Sequence, residues 1–201
     1  MTSNSTALWI GGWTLFCTIA FGDTAVTPGP PLEYTRDGLL KRPERYREWV
    51  FLTAGFDMSY SSDPQMGEHT FDNVFVDRQA YRSFLADGTW PDRTVLVIEN
   101  RAAEGKGSIN KNGHYQGIKV VALEVHLKDE ARYPGKWAFF EFDGSAPAKM
   151  IPRSEACYSC HAAHAAVDTT FVQFYPTLLP IAQAMGTLSA EYRRETMAER
   201  K

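Results

Sequence analysis

The sequence predicts an α+β domain, in which a mostly antiparallel β-sheet is flanked by helices. Three observations predict it: β-branched and aromatic runs concentrate between residues 70 and 142, turn residues separate them, and helical patterns surround them. The 201 residues, 44% apolar and 22% charged, have the length of one domain, with or without a targeting segment. The net charge of −3 and the absence of a basic stripe give no reason to expect nucleic acid as a partner.

The amino terminus predicts export. Residues 7–22 form an apolar run of about the length of a signal-peptide core, and this run is short for a membrane span. The first 35 residues contain no Lys or Arg, so the basic region that usually precedes such a core is missing. We expect residues 1–25 to be a cleaved signal peptide and residues 26–201 to form a single domain. An uncleaved membrane anchor is the alternative.

The first half of the domain predicts one helix on either side of a strand. Residues 43–51 favour a short helix with proline in its first turn, and residues 55–70 favour a long loop rich in Gly, Ser, Asp and Pro. Residues Thr70–Val76 then have strand character. The carboxylate of Asp77 is placed to cap a helix over residues 78–85.

The second half begins with the clearest strand signals. Residues 94–99 and 118–127 are β-branched runs, and the Asn-Gly pair at residues 112–113 between them favours a tight turn. The aromatic run Trp137–Phe142 predicts a further strand. Helical patterns follow over residues 154–166 and, after a proline, over residues 177–185. No internal repeat or low-complexity tract interrupts this order.

The helix over residues 154–166 carries the most informative motif of the chain. Cys157-Tyr158-Ser159-Cys160-His161 spells C-x-x-C-H, the attachment signature of a c-type haem. Two thiols add to the two vinyl groups of the porphyrin, and the imidazole binds the iron. Positions i, i+3 and i+4 share one face of a helix, so the three groups can meet one porphyrin edge. We therefore predict a carboxyl-terminal haem-binding helix, with one haem c held by Cys157 and Cys160 and with His161 as metal ligand.

Other uses of the two cysteines are weaker. Zinc requires four ligands, and only His164 lies close enough in sequence to complete a local set. A redox dithiol is expected at a strand-to-helix junction of a βαβ unit, which the pattern does not predict. A disulfide between residues three apart would be strained and would not require the histidine. The remaining cysteine, Cys17, falls within the predicted signal peptide.

Beyond the motif, the chain resembles the cytochrome P460 family, which includes cytochrome c′-beta. The matching stretches are residues 46–50, 73–77, 123–129, 132–134, 137–140 and 157–176. The resemblance implies a homodimer of mostly antiparallel sheets, with a five-coordinate haem bound by His161 and an open distal face. Members called cytochrome P460 oxidise hydroxylamine with a haem cross-linked to a lysine. Members called cytochrome c′-beta bind nitric oxide or carbon monoxide at a haem without this cross-link, beneath phenylalanines.

One position departs from the family pattern. The cross-linking lysine takes the fourth place of a V-x-V-K-E run, and here that run, residues 95–99, has Ile98 in its place. An isoleucine side chain has no nitrogen, so this cross-link cannot form. Lys119 on the neighbouring predicted strand is the only substitute we consider, and a surface position is the stronger expectation for it.

The resemblance and the strand pattern suggest further site residues. Glu124 is a candidate distal proton carrier, with an edge carboxylate as the equal alternative. His126, on the same face of its strand, is expected to be solvated. Phe71 is the candidate phenylalanine that restricts ligand access, with a core position as the alternative. Asp168 is expected to cap a following helix.

The sequence leaves three functions open. The favoured one is a periplasmic c-type haem protein whose five-coordinate iron binds nitric oxide or a similar small ligand. The second is an oxidoreductase that oxidises hydroxylamine, for which Glu124 and Glu99 are candidate bases, although Ile98 counts against it. The third is an electron-transfer cytochrome with a redox partner, which requires a sixth ligand that the sequence does not single out. Periplasmic location follows from haem attachment, which takes place outside the cytoplasm.

Overall fold

The computed structural model describes Met1, residues 32–59 and residues 67–199. Apart from Met1, the predicted signal peptide lies outside the described residues, as do residues 60–66 of the predicted loop over residues 55–70. The strands are β1 (Val50–Phe56), β2 (Thr70–Val76), β3 (Val95–Glu104), β4 (Tyr115–Lys128) and β5 (Trp137–Phe142). The helices are α1 (Arg78–Asp87), α2 (Ala156–His164), α3 (Leu179–Met185) and α4 (Ala190–Glu199), with 3₁₀ turns at Tyr46–Glu48 and Val172–Phe174.

The five strands form one sheet in the order β1-β2-β3-β4-β5, and each strand runs antiparallel to its neighbours. This meander, together with its flanking helices, confirms the predicted α+β class. The β-branched runs form the central strands because such side chains pack well on a pleated, half-buried surface. Among the described residues, no helix is long and apolar enough to span a bilayer.

The two faces of the sheet carry separate cores. The face with Ile98 and Phe139, called here the front face, packs against α1, α3 and the segment that follows α2. The face with Val97 and Val125, called here the back face, is covered by residues near Leu40 and by Ala148. Side chains alternate between the two faces along each strand, so neighbouring residues in one strand serve different cores.

Two elements near the ends of the domain differ from the prediction. The helix expected over residues 43–51 is wrong: only Tyr46–Glu48 form a 3₁₀ turn, and the chain extends from Trp49 into β1. Strand pairing with β2 and burial of Leu52 in the front core override the local helical pattern. Helix α4 was not predicted, because its exposed, mostly polar sequence lacks an apolar stripe.

The helix after β2 follows its sequence signals closely. The Asp77 carboxylate accepts a hydrogen bond from the backbone N–H of Ala80 at 2.8 Å, which caps α1 as predicted. Gly88 ends the helix in the left-handed region with φ of 68°, where glycine has no steric cost. Helix α1 therefore begins and ends as the sequence indicates, and it buries Phe84 in the front core.

Candidate functional site

A cavity of about 310 Å³ lies on the front face, between the sheet and α2. Strands β4 and β5 form one wall, and α2 with the segment leading into it forms the other. Its lining residues are Glu124, His126, Phe139, Phe140, Ile151, Ala156, Cys157, Cys160 and His161. The three functional side chains of the C-x-x-C-H motif therefore share one cavity, as their spacing on a helix predicts.

Tyr158, between the two cysteines, fixes α2 against the sheet. Its ring stacks on Phe139 with centroids 4.4 Å apart. Its hydroxyl accepts a hydrogen bond from the backbone N–H of Phe139 at 3.0 Å and donates to the carbonyl of Ile151 at 3.1 Å. The helix face that carries Cys157 is thereby oriented towards β4 and β5.

His161 is held in the tautomer that a metal ligand needs. Its side chain is buried, and its Nδ1 lies 2.8 Å from the backbone carbonyl oxygen of Thr169. A carbonyl oxygen can only accept a hydrogen bond, so Nδ1 carries the proton and Nε2 keeps its lone pair. Burial lowers the pKa of His161, which outweighs the opposite effect of the Thr169 carbonyl and favours the neutral ring. This arrangement is typical of histidine ligands in metalloproteins.

The two thiols are available for covalent attachment. Cys157 and Cys160 are half-buried and are not joined to each other. Burial raises the pKa of Cys157, which keeps the group a thiol rather than a free thiolate. Among the described residues, no group of three or more His, Cys, Asp or Glu side chains could hold a metal ion. His164, the residue near enough in sequence to complete the alternative zinc site, lies 3.0 Å from the carboxylate of Glu195.

Ile98 and Glu124 face each other across the β3–β4 pair. They are register partners, and both point to the front face. Glu124 lines the cavity, and burial, with smaller contributions from Glu141 and Asp72, raises its pKa. Ile98 packs against the front core. A carboxyl group that can carry a proton therefore lies at the cavity, next to an apolar side chain at the position where the resemblance implies a lysine.

His126 is a cavity residue that the sequence did not reveal. Its side chain is only 13% exposed, against the expectation of a solvated position. Its ring lies 4.9 Å from that of His161 and 4.2 Å from that of Phe139, measured between centroids. Burial, and secondarily the neighbouring His161, holds the pKa of His126 well below its usual value. The signal available in the sequence was its two-residue spacing from Glu124, which places both on one face.

Two proposed site residues lie on the other side of the sheet. Phe71 alternates with Asp72 along β2 and packs on Phe56 with centroids 5.0 Å apart, so it does not line this cavity. Glu99 also faces back, where Arg101 and the hydroxyl of Tyr46 donate hydrogen bonds to its carboxylate. The structure therefore does not bring these two residues together with the motif.

Lys119 is likewise remote from the cavity. Its side chain is 62% exposed, and its ammonium group lies 2.9 Å from the carboxylate of Glu68. A surface ion pair accounts for this lysine, in agreement with the expectation from sequence. Among the described residues that line the cavity there is no lysine.

Comparison with known proteins agrees with this geometry. A family model described as cytochrome P460 matches residues 43–172, which include the whole sheet, the cavity and the C-x-x-C-H motif. No curated protein matches the chain. The buried neutral His161 and the two free thiols on one helix face provide donors that fit the haem of that family. The chain belongs to the cytochrome P460 family, whose cofactor is haem.

Proposed function

We propose that this protein is an exported, periplasmic c-type haem protein whose five-coordinate iron binds nitric oxide or a similar small neutral ligand. The observation that carries the proposal is the meeting of Cys157, Cys160 and a correctly oriented His161 in one cavity, which none of the described lysines lines. A bound haem would supply an iron at which a small ligand can bind. Cys157 and Cys160 would hold the porphyrin through thioether bonds, and Nε2 of His161 would bind the iron.

The environment of His161 supports five-coordinate iron. His126 is the nearest second imidazole, but its ring is in edge-to-face contact with that of His161, which leaves no room for an iron between them. A methionine sulfur could also act as a sixth ligand, but neither Met58 nor Met150 lines the cavity. An electron-transfer cytochrome needs a sixth protein ligand, and no described cavity residue is placed to act as one.

The cavity walls support a neutral ligand. Phe139, Ile151 and Ala156 make the walls mainly apolar, and the low pKa of His126 leaves its ring uncharged near neutral pH. Neutral diatomic molecules lose little hydration on entering such a space, whereas ions lose much. The resemblance to cytochrome c′-beta agrees with this choice, since Ile98 excludes the lysine cross-link.

Hydroxylamine oxidation is the second candidate, and Glu124 is the observation that favours it. Its raised pKa and its position at the cavity suit a group that exchanges protons with a bound substrate. Glu99, the other candidate base, faces the back core and cannot serve. The missing lysine places this function second.

We further propose that the protein acts as a homodimer. Large apolar side chains are exposed along the sheet, among them Phe51 at 53% and Val121 at 46%. The homodimer is what the family resemblance implies, and such exposed apolar side chains are available to contact a second copy. Sedimentation of the mature holoprotein should give twice the monomer mass, and a monomer at all concentrations would reject this part of the proposal.

A nitric oxide titration tests the central proposal. The exported, mature holoprotein should bind one nitric oxide per haem in the ferrous form, with a shift of the Soret band. The variant His161→Ala should lose the wild-type spectrum before and after the titration, whereas His164→Ala, on the same helix but outside the cavity, should keep it. Colourless protein with both thiols open to alkylation, or a wild-type iron that does not respond to nitric oxide, would overturn the proposal.

A further inference from the structure

The carbonyl that orients His161 belongs to a tight turn with an uncommon backbone. Val167 and Thr170 pair through two backbone hydrogen bonds, and the residues between them have positive φ, 47° at Asp168 and 59° at Thr169. A β-branched residue rarely adopts this conformation, so the surrounding structure must hold it there. The expectation that Asp168 caps a helix is wrong, because it occupies this turn instead.

Lys128 fastens one side of the turn. This residue ends β4, its side chain is only 8% exposed, and its ammonium group lies 2.6 Å from the carboxylate of Asp168. The same ammonium group donates a hydrogen bond to the backbone carbonyl of Trp90, also at 2.6 Å. The carboxylate of Asp168 is 27% exposed, and that of Glu130 lies further from the ammonium group, at 3.6 Å. Because Lys128 itself is buried, solvent screens its pairing with Asp168 less than it screens a surface ion pair.

Thr170 fastens the other side. The indole N–H of Trp90 donates to its hydroxyl at 2.7 Å, and that hydroxyl donates to the carbonyl of Val167 at 2.7 Å. Trp90 thus contacts both attachments, through its carbonyl to Lys128 and through its indole to Thr170. The Thr169 carbonyl lies between these two fixed points and faces His161.

We propose that Lys128 and Asp168 are positioning residues for His161, and this inference rests on the proposed function in that His161 binds the iron. Their ion pair keeps the Thr169 carbonyl against Nδ1. A strong hydrogen bond at Nδ1 makes the imidazole a better electron donor through Nε2. A better donor favours ferric iron, so the pair lowers the reduction potential and strengthens the iron–histidine bond.

The test uses the holoprotein and two readouts that loss of stability alone would not move. In Lys128→Met, which keeps the length of the buried side chain, the midpoint potential should rise and the iron–histidine stretching band of the ferrous form should move to lower frequency. Asp168→Asn should shift both in the same direction. The double variant should shift them no further than the larger single variant, because both changes remove one interaction.

Glu99→Gln is the matched control, because it removes a buried carboxylate from the back face, where none of its partners contacts the turn. It should leave both readouts unchanged. Wild-type values in Lys128→Met, or equal shifts in the control, would overturn the inference. If the ferrous wild type lacks an iron–histidine band because a sixth ligand is bound, the proposed function fails. In that case the midpoint potentials of the variants alone test whether the ion pair positions His161.

Discussion

Ile98 and Glu124 are register partners on the front face, so the apolar substitute for the family's lysine directly opposes the carboxyl group that lines the cavity. The apolar residue at position 98 favours gas binding, and the carboxyl group of Glu124 favours hydroxylamine oxidation, so the features that distinguish the two proposed functions are neighbours. A lysine at position 98 would neighbour Glu124 across the strand pair. Without it, Glu124 faces an apolar neighbour, which contributes to the burial that raises its pKa.

The first prediction concerns a lysine introduced at position 98, whose side-chain nitrogen could form the cross-link. Ile98→Lys should produce haem peptides in which a second peptide, containing position 98, stays attached to the porphyrin together with Cys157 and Cys160. The reason is geometric, since position 98 lies on the front face beside a residue that lines the cavity. Digestion followed by mass spectrometry is the measurement. The side chain introduced in Ile98→Met has no nitrogen, so this variant should give no such product. A second peptide attached to the porphyrin in the wild type would contradict the proposal that its haem has no lysine cross-link.

The second prediction concerns pH and Glu124. Its pKa is raised in the folded protein, mainly by burial, so its contribution to stability is most favourable below the unfolded pKa and is lost as pH rises through the folded pKa. Glu124→Gln should therefore exceed the wild type in free energy of unfolding near neutral pH and match it near about pH 4. The side chain is 42% exposed, so solvent screening keeps the gain below about 1 kcal/mol.

Urea unfolding of both proteins across this pH range measures the effect of Glu124. Parallel stability profiles would show that the carboxyl group has the same pKa in the folded and unfolded states. They would also remove the argument that Glu124 is tuned to exchange protons at the cavity.

The third prediction concerns the back face. Burial raises the pKa of Glu99, but hydrogen bonds from Arg101, Tyr46 and Arg47 outweigh it, and the net shift is downward. This stabilisation is present above the unfolded pKa and is lost as pH falls through the folded pKa. Glu99→Ala leaves Arg101 and the Tyr46 hydroxyl without their acceptor, so the free energy of unfolding near neutral pH should fall by about 3 kcal/mol.

Denaturant unfolding measures the loss in Glu99→Ala, which should shrink below about pH 4. The haem spectrum should not change, because Glu99 faces away from the cavity. Glu191→Ala, which removes an exposed carboxylate from α4, should leave the free energy of unfolding nearly unchanged. A large spectral change in Glu99→Ala would show that the back face influences the iron.

The fourth prediction asks whether His126 binds the iron. His126→Phe should keep the wild-type ferric and ferrous spectra and the response to nitric oxide, because the contact with His161 leaves no space for an iron between the rings. Phenylalanine preserves the contact with Phe139. Absorption spectra with and without nitric oxide are the measurement. A low-spin wild type that becomes high-spin in this variant would identify His126 as a sixth ligand and favour electron transfer.

The strands and helices that the sequence predicted are those with strong local signals. Strands β3, β4 and β5 follow β-branched or aromatic runs, α1 has its cap at Asp77, and α2 carries its motif in helical spacing. Strand β1 has no comparable signal. Its first residues adjoin a proline and a mixed charged segment, and its identity depends on pairing with β2. Tertiary contacts decided that element, and a local pattern does not contain them.

The sequence predicts those site residues whose type and spacing indicate a particular chemistry. Cys157, Cys160 and His161 were assigned together because their spacing suits a porphyrin edge, and the structure brings all three to one cavity. Glu99 and Phe71 were assigned to the site although they face the back, because a face depends on register, which a shift of one residue reverses. The sequence does not indicate that Thr169 orients His161, because the contact is made by its backbone carbonyl and not by its side chain.

The strand order has a consequence for assembly. Strands β3, β4 and β5 follow one another in the chain and in space, so their pairing closes only short loops and costs little chain entropy. The wall made by β4 and β5 can therefore form before the remaining chain has docked. On the proposed function, a porphyrin attached through Cys157 and Cys160 would tie α2 to this wall, and losing the cofactor should loosen that helix first while leaving the meander in register.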